Sequence, residues 1–256
     1  MSKRIVPALV FLTALAVRAG GLGVTPPYVE LALEPGASAE EGVTAFAVDA
    51  TFAQVTARVV DFTKNERGAV VVLDPGELPH SAASWIEIKT PPFALADKER
   101  VTVEFAVHVP PGVNGGSYTA GILIEPAEAP PAAKHGKRLL VRSRILVPVL
   151  IKIPGTLRPG YRLVKVERKE DRLRLLIENT GNVYLSLDGR VRFISPAGEV
   201  VHELRAPHVF LDRGARAAVE IPLPGGESGA VAVTVEYWAN GYELPRLYAE
   251  EVIAQP

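Results

Sequence analysis

The chain has 256 residues with 48% hydrophobic composition, 22 prolines, 22 glycines, no cysteine and a formal net charge of -1. Without cysteine there is no disulfide, no thiolate zinc site and no thiol nucleophile, and near-neutral charge supplies no basic field for nucleic acid. The length fits two domains of roughly 100 to 130 residues.

At the N-terminus Lys3 and Arg4 precede an apolar run from Ile5 to Val17, followed by the small residues Ala19, Gly20 and Gly21. This is the layout of a secretory signal peptide, expected over residues 1–19. The run is shorter than the roughly 20 residues of a spanning helix, so no membrane span is expected after processing. Removal of Lys3, Arg4 and Arg18 would take the formal charge from -1 to -4. The expected location is the periplasm or cell envelope.

Beyond the leader, strand patterns follow one another with no helical period. Tyr28 to Leu33, Val43 to Val48, Val55 to Val60, Val101 to Val109 and Tyr118 to Ile124 alternate in polarity or are rich in β-branched residues. Turn chemistry bounds them at Pro35-Gly36, Asp74-Pro75-Gly76, Pro110-Pro111-Gly112 and Asn114-Gly115-Gly116. Strands at this rhythm with no intervening helices predict an all-β fold and exclude a doubly wound α/β one. The first immunoglobulin-like sandwich is expected over residues 24–153.

Within it, residues 126–137 form a Pro/Ala-rich loop, and residues 138–153 read as one strand far longer than usual. Leu139, Val141, Ile145, Val147 and Val149 fall on one face. Arg138, Arg142, Arg144, Leu146, Pro148, Leu150 and Lys152 fall on the other. A proline inside such a strand marks an edge or a bulge. The apolar row has two readings, a buried core strand or a strand offered to a partner. After a linker at 154–160, strand patterns resume at Leu163 to Val166, Leu173 to Ile177, Val183 to Leu187, Val191 to Ile194, Ala217 to Ile221 and Ala230 to Tyr237. They predict a second immunoglobulin-like sandwich over 161–256, with a turn at Asn179-Thr180-Gly181-Asn182 and a tight turn at Asp188-Gly189.

Leu78 to Ile88 (LPHSAASWIEI), Pro92 to Leu95, the Val101 to Pro110 strand and Gly116 to Ile124 together resemble the N-terminal domain of the periplasmic pilus-assembly (PapD-like) chaperones. The 138–153 strand looks like the last strand of that domain, and the resemblance runs over about residues 25 to 250. It implies two immunoglobulin-like domains meeting at an angle, with the long strand's edge completing an unfinished pilin subunit by β-augmentation. Leu139, Val141, Ile145, Val147 and Val149 would then be the donor-strand residues. The family holds the subunit's terminal carboxylate with an Arg on the first strand and a Lys after an isoleucine in the long strand. Here Tyr28 to Glu34 contains no Arg and Ile145 is followed by Leu146. Arg142, Arg144 and Lys152 are the candidate substitutes for carboxylate contact; their plainer reading is a solvated row that guards the edge against aggregation.

No catalytic residue is expected. The five histidines, His80, His108, His135, His202 and His208, lack metal-ligand or acid-neighboured spacing, and no phosphate loop, dinucleotide fingerprint or nucleophile elbow is present. No metal or other cofactor is expected either. Trp85 and Tyr118 read as core anchors, Tyr118 at the place of a tyrosine corner. Tyr237, Trp238 and Tyr242 read as packing under a hairpin or as a contact surface. Two functional readings remain: a chaperone-like protein that binds exported pilin-like or surface-fibre subunits through the long strand, or a structural or adhesive surface module.

Overall fold

The computed structural model describes residues 21–65, 69–127, 144–223 and 231–252. Eighteen strands among these residues form two sandwiches in tandem. In the first, β1 (Gly21–Thr25), β2 (Val29–Ala32), β3 (Ser38–Val48), β4 (Phe52–Lys64) and β5 (Val70–Leu73) precede a 3-10 turn at Ala83–Trp85. Then come β6 (Ile86–Ile88), β7 (Phe93–Leu95), β8 (Arg100–His108), β9 (Gly116–Pro126) and β10 (Ile145–Ile153). One sheet has the order β1-β3-β8-β6, and the facing sheet the order β2-β10-β9-β4-β5 with β7 on β4. Pro26 and Pro27 separate β1 from β2, where the chain leaves one sheet for the other; proline has no N–H to give a ladder.

Alternation makes the core. Val103, Phe105 and Val107 of β8, Ile122 and Ile124 of β9, and Val147, Val149, Ile151 and Ile153 of β10 all point between the sheets and are wholly buried. Trp85 packs on Tyr118 with ring centroids 4.6 Å apart, and the Tyr118 hydroxyl donates to Asn114 O at 3.2 Å, a bond back to the backbone as in a tyrosine corner.

The second sandwich comprises β11 (Tyr161–Lys169), β12 (Arg172–Asn179), β13 (Leu185–Ile194), β14 (Val200–Arg205), β15 (Val209–Leu211), β16 (Arg216–Pro222), β17 (Ala232–Ala239) and β18 (Leu247–Val252). A β11-β12-β16 sheet faces a β14-β13-β17-β18 sheet that carries β15 on β13. Its core is separate, built on Leu173, Ile177, Leu185, Leu187, Val233 and Tyr237.

Two expectations change. Asp188-Gly189 is not a turn but lies within β13, so the two strands expected on either side of it are one. The glycine is needed because Tyr237 crosses it: a Cβ there would meet Glu236 O at 2.5 Å and the Tyr237 ring at 2.7 Å. The first strand also begins at Gly21, upstream of the expected domain start.

Each domain holds one of the two tryptophans, Trp85 and Trp238. Phe105→Ala should cost the first domain about 3–5 kcal/mol, as large-to-small core changes do. In a Trp238→Phe background the denaturant midpoint read from Trp85 should fall accordingly, and an unchanged midpoint would contradict this packing.

Candidate functional site

β10 has unequal neighbours. It pairs antiparallel with β9 over all of Ile145–Ile153, but parallel with β2 only from Val149↔Val29 to Lys152↔Ala32. Upstream of Val149 no described strand lies on the β2 side, which leaves Ile145 to Val147 as an open edge among the described residues. The backbone direction follows from one bond. Leu33 N donates to Lys152 O at 3.1 Å, so the carbonyl of Lys152 points to the β2 side. Every second residue of a strand shares that direction, so Leu146 presents both its N–H and C=O along the open edge. Pro148 faces the same side but has no N–H, and the parallel register that sets Val149 opposite Val29 gives its carbonyl to Val29 N–H, so the open backbone groups are those of Leu146.

The same alternation decides the side chains. Val147 and Val149 are fully buried in the first core, and Ile145 is half-buried against it. For these positions the core reading of the apolar row holds, and Val147 and Val149 are corrected as donor residues: period-2 geometry that buries them turns Leu146, Pro148, Leu150 and Lys152 to the outer face. On that face Leu146 lies beside Leu123 and Arg58, and Pro148 beside Gly121 and Val60. Gly121 permits this, because a Cβ there would collide with Leu146 Cδ1 and stand 3.2 Å from Phe62 Cδ1. Val60, Leu123 and Leu150 are buried, whereas Leu146 and Pro148 stay half-buried. Leu139, Val141 and Arg142 lie outside the described residues, as do the expected leader and most of the 126–137 loop.

The two remaining cations behave differently. Arg144 reaches Glu125 at 2.8 Å, and Glu125 also receives Arg58 at 3.3 Å, so Arg144 already has a carboxylate partner beside the edge. Lys152, which follows Ile151, stands at the junction of the domains with its ammonium 5.3 Å from the Tyr184 ring centroid and 5.7 Å from that of Tyr242. Among the described residues it has no carboxylate within ion-pair distance.

Below the open edge the outer face meets the second domain. Ser117 N donates to Asn182 O at 2.8 Å, and Tyr184 N donates to Ser117 Oγ at 3.0 Å. Asn182 Nδ2 donates to Gly115 O (3.0 Å) and Thr156 O (2.9 Å), while its Oδ1 accepts from Arg158 N at 2.7 Å. Ser117, Thr119 and Asn182 are buried polar groups, and these bonds satisfy them. The Tyr184 hydroxyl donates to Glu30 of β2; burial first, then this carboxylate, pushes the phenol well above its ordinary value. Thr119 Oγ1 donates to Asp212 Oδ1 at 3.0 Å, and His80 Nε2 lies 3.4 Å from Asp212 Oδ2.

The Asn179–Asn182 turn therefore ties the domains together, a role that its sequence did not announce. Asn179 closes the turn internally, donating to Val183 O and Leu211 O. His80 likewise acquires a partner from far along the chain. The remaining described histidines sit elsewhere: His108 bonds Ser38, His202 stacks on Phe193 and His208 meets Asp188. In the aromatic cluster Tyr237 is buried and donates to Pro207 O, Trp238 lies under Arg246, and Tyr242 belongs to the junction. Among the described residues no group of three or more histidines and carboxylates is placed to hold a metal.

Solved structures of similar fold include several bacterial chaperones. A structure of the Salmonella enterica SafA pilin in complex with the SafB chaperone matches over 91% of this chain and 98% of that one, at 12% identity and a TM-score of 0.47. The Pseudomonas aeruginosa CupB2 chaperone matches over 90% and 100%, at 10% identity and 0.44. The E. coli chaperone DraB matches over 90% and 97%, at 13% identity and 0.43. No protein-family model matches the chain, and no curated protein matches it.

Asn182→Ala strips partners from three backbone groups at the junction, Gly115 O, Thr156 O and Arg158 N, and should lower stability by about 1–3 kcal/mol. Amide exchange at Arg158 should accelerate, and exchange that stays at the wild-type rate would contradict the proposed tether. Tyr184 adds a pH signature. Its folded pKa is raised, so its contribution is complete below the unfolded phenol value near 10 and is lost as pH rises towards the folded one. Wild type should therefore lose more stability than Tyr184→Phe above about pH 10, and equal slopes would contradict the assignment.

Proposed function

We propose that the chain is an exported, chaperone-like protein that binds pilin-like or other surface subunits by strand addition at the open edge of β10. The observation that carries this reading is the stagger of β2 and β9 on β10, which exposes the Leu146 backbone next to a half-buried Leu146 side chain. The sequence resemblance to pilus-assembly chaperones supports the class of client. Binding of this kind uses ladder bonds and side-chain pockets and needs no cofactor or nucleotide. The periplasm or cell envelope is the proposed location.

Magnitudes assign the parts. The Leu146 N–H and C=O offer two ladder bonds at about 1 kcal/mol net each. Micromolar affinity needs about 8 kcal/mol. Apolar burial must supply most of the remainder, at about 1.5–3 kcal/mol per large side chain. In the proposal Leu146 and Pro148 make that contact from the described part of the strand, and Leu139 and Val141 extend it upstream. Lys152 is the candidate for a client carboxylate, since Arg144 is held by Glu125.

The test is recovery of exported subunits from an envelope extract by mass spectrometry, using wild type and three variants as bait. Leu146→Asp should abolish recovery, and Lys152→Ala should weaken it. Val72→Asp, on the exposed far edge of the same sheet, should leave it unchanged. Equal recovery by folded Leu146→Asp and wild type would favour a structural or adhesive surface module.

A further inference from the structure

A cavity of about 530 Å³ opens between the domains on the β4 side of the junction, away from the β10 edge. Phe62, Lys64 and His80 line it from the first domain, and Phe210, Asp212 and Arg213 from the second. Its size falls within the range of clefts that hold small ligands. Two phenyl rings from different domains give it apolar walls.

Its charges are unbalanced. Asp212 has both oxygens engaged, one by Thr119 and the other by His80. Arg216, also on the lining, is matched by Glu178 at 2.8 Å. Lys64 and Arg213 are different. Among the described residues neither has a carboxylate within ion-pair distance, and the Lys64 ammonium rests 5.9 Å from the Phe210 ring centroid. Lys64 and Arg213 outnumber Asp212, the one lining carboxylate, so the lining carries excess positive charge beside aromatic walls and favours an anion with an apolar body.

We propose that this cavity is a binding site for a small apolar anion, a carboxylate, sulfonate or phosphate on an aromatic or aliphatic frame, held by Lys64 and Arg213 with its body between Phe62 and Phe210. Such a ligand touches both domains at once and stabilises their observed arrangement by mass action.

The probe is 8-anilinonaphthalene-1-sulfonate, with the uncharged N-phenyl-1-naphthylamine as its neutral counterpart, titrated by fluorescence against the full mature chain. One saturable site is expected for the sulfonate, at least tenfold tighter than for the neutral amine and weakened by added salt. Lys64→Glu and Arg213→Glu should each weaken the sulfonate at least tenfold without changing the amine. The comparison of the two probes on wild type needs no variant and stands even where a charge reversal unfolds the protein. Equal affinity for both probes, binding at several weak sites, or sulfonate affinity unmoved by both charge reversals in folded protein would overturn the proposal.

Discussion

β10 is gripped along its whole length on one side and along less than half of it on the other. β9 fixes its register and buries Val147, Val149, Ile151 and Ile153, while β2 arrives in parallel only at Val149. A fully paired edge would have nothing to offer, and a strand free on both sides would not be held. The stagger anchors the strand through its buried residues and leaves Leu146 available in backbone and side chain together. Pro148 limits that edge to fewer donors, which discourages indiscriminate sheet growth.

The second domain depends on the same sheet. Its junction begins where the outer face of β9 and β10 turns from apolar to polar, at Thr119, Ser117 and Lys152. There Ser117 N donates to Asn182 O, Ser117 Oγ accepts from Tyr184 N, and Thr119 Oγ1 donates to Asp212. Glycines at 115, 116 and 181 let the backbones approach: a Cβ on Gly116 would stand 2.7 Å from Asn182 O. The junction is a network of directional bonds, so it fixes an angle between the domains more than it adds apolar burial. The cavity beside it exists because those polar contacts hold Phe62 and Phe210 apart.

Much of this was legible in the sequence. Alternation and turn residues gave the all-β class, the two sandwiches and most long strands, because a half-buried strand leaves a period-2 trace. The very short strands β6, β7 and β15 left none. Asp188-Gly189 imitated a turn because a glycine admitting the Tyr237 ring looks the same in sequence as a glycine that bends the chain. The long strand was legible as an edge through its proline. Which face it buried was not, since both rows contain aliphatic residues and only the pairing with β9 separates Val147 from Leu146. The junction was the least visible part: Asn182, His80 and Asp212 acquire their roles from partners 24 to 132 residues away.

The central claim is that Leu146 has an unpaired N–H on an edge that a partner strand completes. Amide hydrogen exchange resolved at single residues tests it directly in the free protein and in a purified complex with a recovered subunit. In the free protein the Leu146 amide should exchange quickly while its neighbour Val147, bonded to β9, is protected; in the complex Leu146 should become protected as well. A Leu146 amide already protected in the free protein, or one left exposed in the complex, would contradict strand addition at this edge.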